Sequence, residues 1–480
     1  MSKILENSII FSYLRMFSKR VSKKWNESQT GWLVTRNLRD IKSNNSGFYK
    51  LLNFLINKTF SVNIGGSFGE KIKTSVFLNL FSHYEIGVYA MLFLAPIIPT
   101  MACVALCLLT FASFFLNSIV KNDFNIKIDA FGMIAILLIG LYFICSVTSY
   151  AMIASIKVFA LYIVFIGFMF IIIACGTDKN RLKLMIFSFT TSGFFVSLFG
   201  IYQNFFGNNI GHAWIDEEMF SDISVRVYST LGNPNVLGEY LLMLIPICAA
   251  MVYASKKWLP RLYYFGIMGC AALCLVFTQS RGCWIGIILV AAVFALLVDK
   301  RLVFLGIIGM LFLPMVLPES MINRFTSIGN MGDSSTSYRV HIWLGTLRML
   351  KDYWWTGVGV GEGAFNTIYP MYAYNATIAH HSHNLYLQII VETGIGGLLT
   401  FITSMIVSLK KMLVGYIVGK KNMYSLICVA VIAGVLGCLL QGMFDYLWYN
   451  HRVFAIFWMF IGLGIASRRC ACEEDFTHNK

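Results

Sequence analysis

The chain alternates between long apolar runs and short polar or charged interruptions, and this pattern predicts its architecture. Apolar stretches of about 17–25 residues are long enough to cross a bilayer as helices. The run from Tyr84 to Val120 is broken midway by Pro96 and Pro99, so we divide it into two short spans. Twelve spans are predicted, at residues 84–98, 99–120, 130–150, 152–175, 182–205, 234–254, 260–279, 282–299, 301–317, 384–409, 423–447 and 450–468. The predicted fold class is therefore all-α, a polytopic membrane protein.

The composition supports this pattern and excludes other classes of protein. Charged residues make up 13% of the chain and hydrophobic residues 58%, whereas soluble domains carry about 25% charged residues. A soluble enzyme, a disordered chain, a coiled coil and a collagen are excluded. The cysteines fall in predicted spans or at their cytoplasmic ends, so no disulfide framework is expected. No cleavable signal peptide is evident in the first 80 residues.

Lysine and arginine are distributed unevenly between the two sides of the predicted bundle. With a cytoplasmic N-terminus, 30 of the 38 Lys and Arg residues fall in cytoplasmic segments. Because cytoplasmic loops carry an excess of these residues, we predict that both termini are cytoplasmic. The net charge of +15 then reflects topology and contact with anionic lipid, and no nucleic-acid partner is expected.

The predicted domains are a basic cytoplasmic N-terminal extension at 1–83, a membrane domain at 84–468 and a cytoplasmic tail at 469–480. Within the extension, the segment from Phe48 to Phe60 has two open interpretations, an interfacial amphipathic helix or a loosely ordered tail.

Two predicted outer loops, 206–233 and 318–383, are long. Structureless loops as long as the second are uncommon, so we predict a small helical lid, with an amphipathic helix from Val340 to Asp352. Glycines follow at alternate positions from Gly357 to Gly363. Their spacing fails the third position of the dinucleotide-binding GxGxxG pattern, and no strand precedes them. We interpret them as a flexible or tightly turning hinge.

Candidate chemistry collects where three predicted spans begin on the outer face. Capping residues are available at each start, namely Asn233 before Pro234, Ser280 before Arg281, and Ser382 or Asn384. All three helices run inward, so each presents its positive dipole end and free backbone N–H groups outward, where anions bind. Arg226 and Arg281 add forked, permanently charged donors that suit phosphate. The pattern predicts a diphosphate site at membrane depth.

Four motifs, in this order, resemble those of the O-antigen ligase/O-antigen polymerase superfamily: GNPNVLGEYL at 232–241, SRGCWIG at 280–286, GVGVGEGAF at 357–365 and HNLYLQIIVETGIGGLL at 383–399. The resemblance covers about 225–400 by motif and the rest by topology. It implies a GT-C-related, metal-independent, inverting glycosyltransferase of the bacterial cytoplasmic membrane. Such proteins move a glycan from an undecaprenyl-diphosphate carrier to an acceptor hydroxyl on the outer face, in cell-envelope polysaccharide biosynthesis. The N-terminal extension departs from the family pattern.

The resemblance also assigns roles to individual residues. Arg226 and Arg281 match the diphosphate-contacting arginines of the family, His383 its essential loop-end histidine, and Arg339 a loop arginine. Substrate-binding roles are further expected for residues at the helix starts, namely Asn233, Asn235, Ser280, Asn384 and Glu239. Glu239, one turn into its helix, is expected to pair with an arginine of the site.

These roles combine into an expected mechanism. Arg226 and Arg281 hold the diphosphate and stabilise the charge on the leaving group, while His383 polarises or deprotonates the acceptor hydroxyl. The lid, through Arg339 and the glycine hinge, positions the acceptor and excludes water. No cofactor is expected. The expected partners are the lipid-linked glycan donor, a glycan, lipid or wall-polymer acceptor, membrane lipids, a flippase and a chain-length regulator.

Other interpretations remain open at this stage. Arg281 has an interfacial snorkelling interpretation. The cluster of His380, His381 and His383 is disfavoured as a zinc site because neither cysteine nor carboxylate stands nearby at ligand spacing. Glu392 and Asp445 lie in predicted spans, where carboxylates are functional candidates, although Glu392 is also explained by hydrogen bonds to neighbouring helices.

Two other functions stay possible, a lipid-linked oligosaccharide flippase and a non-catalytic glycan-assembly scaffold. A flippase would need broken helices and charges at mid-depth, whereas the polar residues here collect at one face. The sequence does not distinguish a polymerase from a ligase.

Overall fold

The computed structural model describes residues 59–62, 75–121, 124–127, 129–207, 225–316, 319–326, 334–419 and 421–478. Most of the predicted N-terminal extension and most of the loop at 206–233 lie outside these residues. The segment from Phe48 to Phe60 is described only at its last two residues.

Helices make up nearly all of the described chain. They are α1 (Val76–Phe81), α2 (Tyr84–Leu94), α3 (Thr100–Lys121), α4 (Ala130–Val147), α5 (Met152–Cys175), α6 (Lys179–Phe206), α7 (Pro234–Ala254), α8 (Trp258–Thr278), α9 (Arg281–Val298), α10 (Arg301–Val316), α11 (Glu319–Thr326), α12 (Ser334–Tyr353), α13 (Glu362–Ile368), α14 (Leu385–Val418), α15 (Met423–Gln441) and α16 (His451–His478). Ten of them are long and apolar enough to cross a membrane. The predicted all-α polytopic membrane protein is confirmed. The two remaining predicted spans form the shorter helices α2 and α10, of 11 and 16 residues.

One short strand pair is the exception to the helical fold in the described residues. Strand β1 (Thr59–Val62) pairs antiparallel with β2 (Phe124–Lys127), and Thr59 lies opposite Lys127. Aromatic and β-branched residues in β1 favour extended backbone. Thr59 and Phe60 are therefore extended, which does not fit the amphipathic-helix interpretation at this end of the segment.

Three helices form the centre of the bundle. In an apolar 18-residue stretch of α7, α15 and α16, 83%, 78% and 89% of the residues are buried. Helix α7 packs against α8 and α15, and α15 also packs against α9 and α16. Small residues bring α9 and α15 close together, because a Cβ on Gly286 would lie 3.2 Å from the Gly437 carbonyl oxygen.

Two predicted helix ends differ from the structure. Helix α14 continues to Val418, nine residues beyond its predicted end, because Lys411 pairs with Asp129 and does not end the span. Helix α15 stops at Gln441, before Gly442, and the chain then turns through a 3₁₀ segment at Leu447–Tyr449. Because the residues of this turn are apolar, the sequence pattern of the span continues past the end of the helix, to residue 447 in the prediction. Asp445 consequently lies in a turn and not within a span as predicted.

The predicted lid, residues 318–383, is helical as expected. It contains α11, α12 and α13, and the predicted helix from Val340 to Asp352 lies within α12. A second hydrophobic core joins α12 to α13 through Ile342, Met349 and Phe365.

The glycine stretch crosses α14 at a break in that helix. Helix α14 is interrupted at Gly394, where φ is 66°. A Cβ on Gly394 would lie 2.0 Å from the Trp355 carbonyl oxygen, and one on Gly357 would lie 2.7 Å from the Glu392 backbone. The N–H of Val358 donates to the Val391 carbonyl at 2.7 Å. The glycines therefore form a tight, packed crossing, which agrees with the tight turn and not with the flexible hinge.

Candidate functional site

The N-termini of α7, α9 and α14 meet at one end of the bundle, which we call the site face. Asn233 caps α7 by accepting from the N–H of Asn235 at 2.8 Å. Asn384, not Ser382, caps α14, and its side chain accepts from the N–H groups of the first helical turn at 3.0 Å. Ser280 occupies the cap position of α9 but makes no side-chain capping bond, contrary to expectation. Three positive helix ends thus face one region.

Four arginines converge on this region and form what we call the arginine cluster. Arg226 precedes α7, Arg281 begins α9, and the other two, Arg324 and Arg339, come from lid helices α11 and α12. Arg226 is 6% exposed and interacts electrostatically with the three others. Burial, reinforced by these like charges, holds the pKa of Arg226 well below its usual range. An anion bound here would be attracted by all four side chains.

The cluster is held by the end of one helix and by one serine. Arg226 Nε donates to the Thr278 carbonyl and Arg324 Nε to the Gln279 carbonyl, both at 3.2 Å. These carbonyls stand at the negative C-terminal end of α8, which favours cations. Ser335 Oγ accepts from Arg281 Nη2 at 2.6 Å and lies 3.5 Å from Arg339 Nη1. Ser335 therefore links the bundle arginine to the lid arginine.

His383 forms a hydrogen bond with Asp445, beside the arginine cluster. His383 Nδ1 lies 2.9 Å from Asp445 Oδ1. An ionised carboxylate only accepts hydrogen bonds, so Nδ1 carries a proton and Nε2 keeps a lone pair when the imidazole is neutral. Nε2 has no hydrogen-bond partner in the part of the chain that the structure describes, and the side chain is 23% exposed. The imidazole thus presents a basic nitrogen.

Asp445 is buried and fully engaged. Asn235 Nδ2 donates to Asp445 Oδ2 at 2.8 Å, and the Tyr446 N–H donates to Oδ1 at 2.9 Å. Burial opposes the charge on Asp445, but the hydrogen bond from His383 and the nearby Arg339 charge hold the pKa of this carboxyl well below its usual range. Asp445 therefore stays ionised and keeps the His383 ring in one orientation.

Helix α12 of the lid touches both groups. It carries Ser335 and Arg339 at the arginine cluster. Eight residues after Ser335, Trp343 Nε1 donates to the His383 carbonyl at 3.2 Å. The ring of Tyr338 packs edge-on to the His383 imidazole at 5.8 Å. His383 itself has a positive φ of 46°, which these contacts must support.

The asparagines predicted to bind substrate also make hydrogen bonds within the protein. Asn235 holds Asp445. Asn384 caps α14 with its oxygen and donates from Nδ2 to the Met443 carbonyl at 2.8 Å. The side-chain oxygen of Asn233 is likewise engaged as a cap. Ser280 is buried at the start of α9. The three asparagines thus have structural contacts, and the substrate-binding roles of these residues and of Ser280 stay predictions.

Glu239 was expected to pair with an arginine, and this prediction is wrong. Its side chain is fully buried in α7, and neither carboxylate oxygen has a hydrogen-bond partner among the described residues. The charged group that interacts with it is the carboxylate of Asp445. The reason is depth, because Glu239 lies more than one turn below the start of α7, whereas Arg281 stands at the start of α9.

The three neighbouring histidines do not act as one group. His380 is exposed and pairs with Glu362 at 2.8 Å. His381 is half-buried, and its ring stacks on Tyr449 at 5.0 Å. Burial lowers the pKa of His381 to about 3, so this ring is neutral at pH 7.

A metal ion has one candidate position among the described residues. The ligand atoms of His381, His383 and Asp445 lie within 4.8 Å of one another. The expectation that no carboxylate stands near these histidines is therefore wrong, because the fold brings Asp445 from 62 residues away. However, His381 Nδ1 accepts from the His383 N–H at 3.3 Å, and both Asp445 oxygens accept hydrogen bonds. A metal ion at this position would therefore compete with these internal hydrogen bonds.

Arg324 and Asp445 were not predicted as site residues. Arg324 is one of the few arginines outside the predicted cytoplasmic segments, and this departure from the charge bias was an available signal. Asp445 was noted only as a membrane carboxylate. Its pairing with His383 depends on the turn after α15, which the sequence pattern does not reveal.

Comparison with protein families bears directly on this site. Residues 266–402 match the family model described as O-antigen ligase. This part of the chain is similar to O-antigen ligases. This confirms the resemblance predicted from the four motifs and supports a membrane glycan ligase or polymerase function. The O-antigen ligase match contains Arg281, Arg324, Arg339 and His383, whereas Arg226 and Asp445 lie outside it. No match is found among curated proteins.

Proposed function

We propose that this protein transfers a glycan from an undecaprenyl-diphosphate carrier to an acceptor hydroxyl on the outer face of the bacterial cytoplasmic membrane. One observation carries the proposal, the juxtaposition of the arginine cluster with the pair of His383 and Asp445. The first suits a diphosphate and the second a hydroxyl, which are the two groups that such a transfer must bring together.

The arginine cluster binds the donor. Arginine presents planar, forked N–H donors that match phosphate oxygens in pairs. The N-termini of α7 and α9 add backbone N–H groups and positive dipole ends. As the glycosyl bond breaks, negative charge grows on the leaving diphosphate, and donors already in place stabilise that charge without rearrangement. Arg226 and Arg281 are assigned this role, assisted by Arg324 and by Arg339 from the lid.

His383 activates the acceptor. Its Nε2 takes the proton from the acceptor hydroxyl as the hydroxyl oxygen bonds to the anomeric carbon. The bond from that carbon to the diphosphate oxygen breaks, and undecaprenyl diphosphate leaves with the electron pair. Asp445 stabilises the imidazolium that forms. Because the attack is opposite to the leaving group, the anomeric configuration inverts.

Cysteine labelling tests the orientation of the site. In a Cys-depleted background, Ile378→Cys on the lid should react with an impermeant maleimide in intact cells, since this position is 81% exposed. Lys257→Cys, before α8 at the opposite face, should react only after permeabilisation. The reverse pattern would place the site face in the cytoplasm and exclude an outer-leaflet donor.

Reconstitution tests the reaction. A strain lacking the gene should accumulate its lipid-linked glycan, so its extracted membranes supply both donor and acceptor. Purified protein should release undecaprenyl diphosphate from this extract and enlarge the glycan product. Flipping of a fluorescent lipid-linked sugar, measured in liposomes in parallel, should not change. Flipping without diphosphate release would establish a transporter, and neither activity would indicate a scaffold.

A further inference from the structure

Glu392 is a buried carboxylate in α14 that the proposed mechanism does not use. It is 1% exposed. One oxygen, Oε1, accepts from Gln388 Nε2 and from the Tyr446 hydroxyl, each at 3.1 Å. A buried carboxylate requires such donors, because burial of a charge without hydrogen bonds is costly. The two donors belong to two segments that lead to different members of the His383 and Asp445 pair.

The first of these connections leads to His383. Gln388 uses its amide oxygen to accept from the Ser382 N–H at 2.8 Å. The Ser382 hydroxyl in turn donates to the Asn384 carbonyl at 2.8 Å. The residue between these two is His383, whose positive φ is a conformation that a non-glycine residue seldom adopts. Glu392, through Gln388, therefore fixes the backbone that presents the imidazole.

The second connection leads to Asp445. Tyr446 donates its hydroxyl to Glu392 and its backbone N–H to Asp445 Oδ1, at 3.1 and 2.9 Å. That same oxygen lies 2.9 Å from His383 Nδ1. The Tyr162 hydroxyl of α5 is 3.0 Å from the Tyr446 hydroxyl and extends the network. The position of the Tyr446 ring therefore determines where the Asp445 carboxylate stands.

We propose that Glu392 is a positioning residue that sets the geometry of the His383 and Asp445 pair by holding the segments on both sides of it. This inference rests on the proposed function. A single carboxylate oxygen that accepts from both segments fixes their separation, which neither Gln388 nor Tyr446 can do alone. Small displacements of reacting groups reduce rates strongly, about 10²-fold for 1 Å. Glu392 thus acts on the chemical step without contact with either substrate.

Glu392→Gln is the informative substitution. It keeps the size of the side chain but replaces a carboxylate by an amide with one accepting oxygen and two N–H donors. A carboxylate accepts strongly from two donors at once, whereas the amide oxygen is a weaker acceptor. One of the two connections should therefore loosen while the fold is kept.

The test is a double-mutant cycle on undecaprenyl-diphosphate release, with donor and acceptor supplied by the membrane extract of the deletion strain. Glu392→Gln should reduce kcat by about 10- to 100-fold and change the KM for the lipid-linked glycan by less than about twofold. In an Asp445→Asn background the same substitution should reduce kcat by less than about threefold, because residues that act together are not additive. Tyr240→Phe, a buried tyrosine of α7 outside this network, is the control and should have normal kcat.

The outcomes separate the inference from the function on which it rests. Normal kcat in Glu392→Gln, or the same fold loss in both backgrounds, overturns the positioning role. Full release by Asp445→Asn and by His383→Ala overturns the proposed function itself, whatever Glu392→Gln does. If Glu392→Gln does not accumulate, Tyr446→Phe removes only one hydroxyl and is measured in the same cycle with the same expectations.

Discussion

The two halves of the site are built on opposite principles. The arginine cluster collects like charges from four separate segments, and carbonyl oxygens at the end of α8 and the Ser335 hydroxyl are among its contacts. The pair of His383 and Asp445 joins an imidazole to a carboxylate, and neighbouring groups hold both oxygens of the carboxylate. The first half therefore favours an incoming anion. In the second half, and within the described residues, the polar atoms of the pair are hydrogen-bonded to the protein except for His383 Nε2. This free nitrogen suits a proton transfer.

The largest effect is expected for substitution of His383, which should change the rate of transfer and not the binding of the diphosphate. His383→Ala should reduce the rate of undecaprenyl-diphosphate release by about 10²–10⁴-fold, the range typical of lost general-base catalysis. The affinity for undecaprenyl diphosphate in detergent, followed by tryptophan fluorescence, should stay within about twofold, because the diphosphate contacts lie elsewhere. A parallel loss of affinity would show that the two halves are one binding site.

Arg281→Lys should affect both binding and rate. Lysine keeps the charge but loses the planar fork and the reach to Ser335. We expect release to fall by about 10²-fold, near the effect of removing one transition-state donor, and undecaprenyl diphosphate to bind more weakly. The matched control is Arg348→Lys, which alters a lid arginine that stacks on Tyr374 and should keep full activity. Normal release by Arg281→Lys, with the protein at normal abundance, would remove this residue from the donor site.

A smaller effect is expected for the arginine that sequence reasoning missed. Arg324→Ala should weaken the binding of undecaprenyl diphosphate by about 10-fold, since a hydrogen bond to a charged group contributes about 1.5–3 kcal/mol. The value of kcat at saturating donor should change less than the affinity does. Equal affinities for Arg324→Ala and the unaltered protein would mean that Arg324 only supports the end of α8.

The smallest effect is expected at His380. His380→Ala should keep activity within about twofold, because its exposed ring pairs with Glu362 away from Asp445. EDTA should leave the purified protein active. A metal held by His381, His383 and Asp445 makes a different forecast, in which EDTA abolishes release and zinc restores it. That result would replace the hydrogen-bonded pair by a metal centre.

The sequence predicted the spans well because bilayer thickness sets the length of an apolar run. Ten of the predicted spans are membrane-length helices, and the ends that differ have local causes. One predicted span ends at residue 409, before two lysines, yet the helix continues, and Lys411 pairs with Asp129 from a distant segment. The apolar residues around Leu447 continue the pattern of a span although the helix has already ended.

The candidate site was predicted in part. Residues at helix starts carry a local signal, and so Arg281, Asn384 and His383 were identified from their positions. Asp445 and Arg324 reach the site only through turns and lid packing, for which no short-range pattern exists. The predicted pairing of Glu239 with an arginine failed for a related reason. The depth of Glu239 in its helix is clear from the sequence, but its neighbours are not.

The way in which α12 spans both halves has a consequence for the order of events in a catalytic cycle. The same helix contacts Arg281 through Ser335 and supports His383 through Trp343. If this helix lifts to admit a donor, the carbonyl of His383 loses its support at the same moment. The enzyme is then inactive while it is open, because water that enters with the lid raised meets a His383 imidazole that is not held in position. The lid would thus protect the lipid-linked glycan from hydrolysis, because the donor site is open to water only when His383 is unsupported.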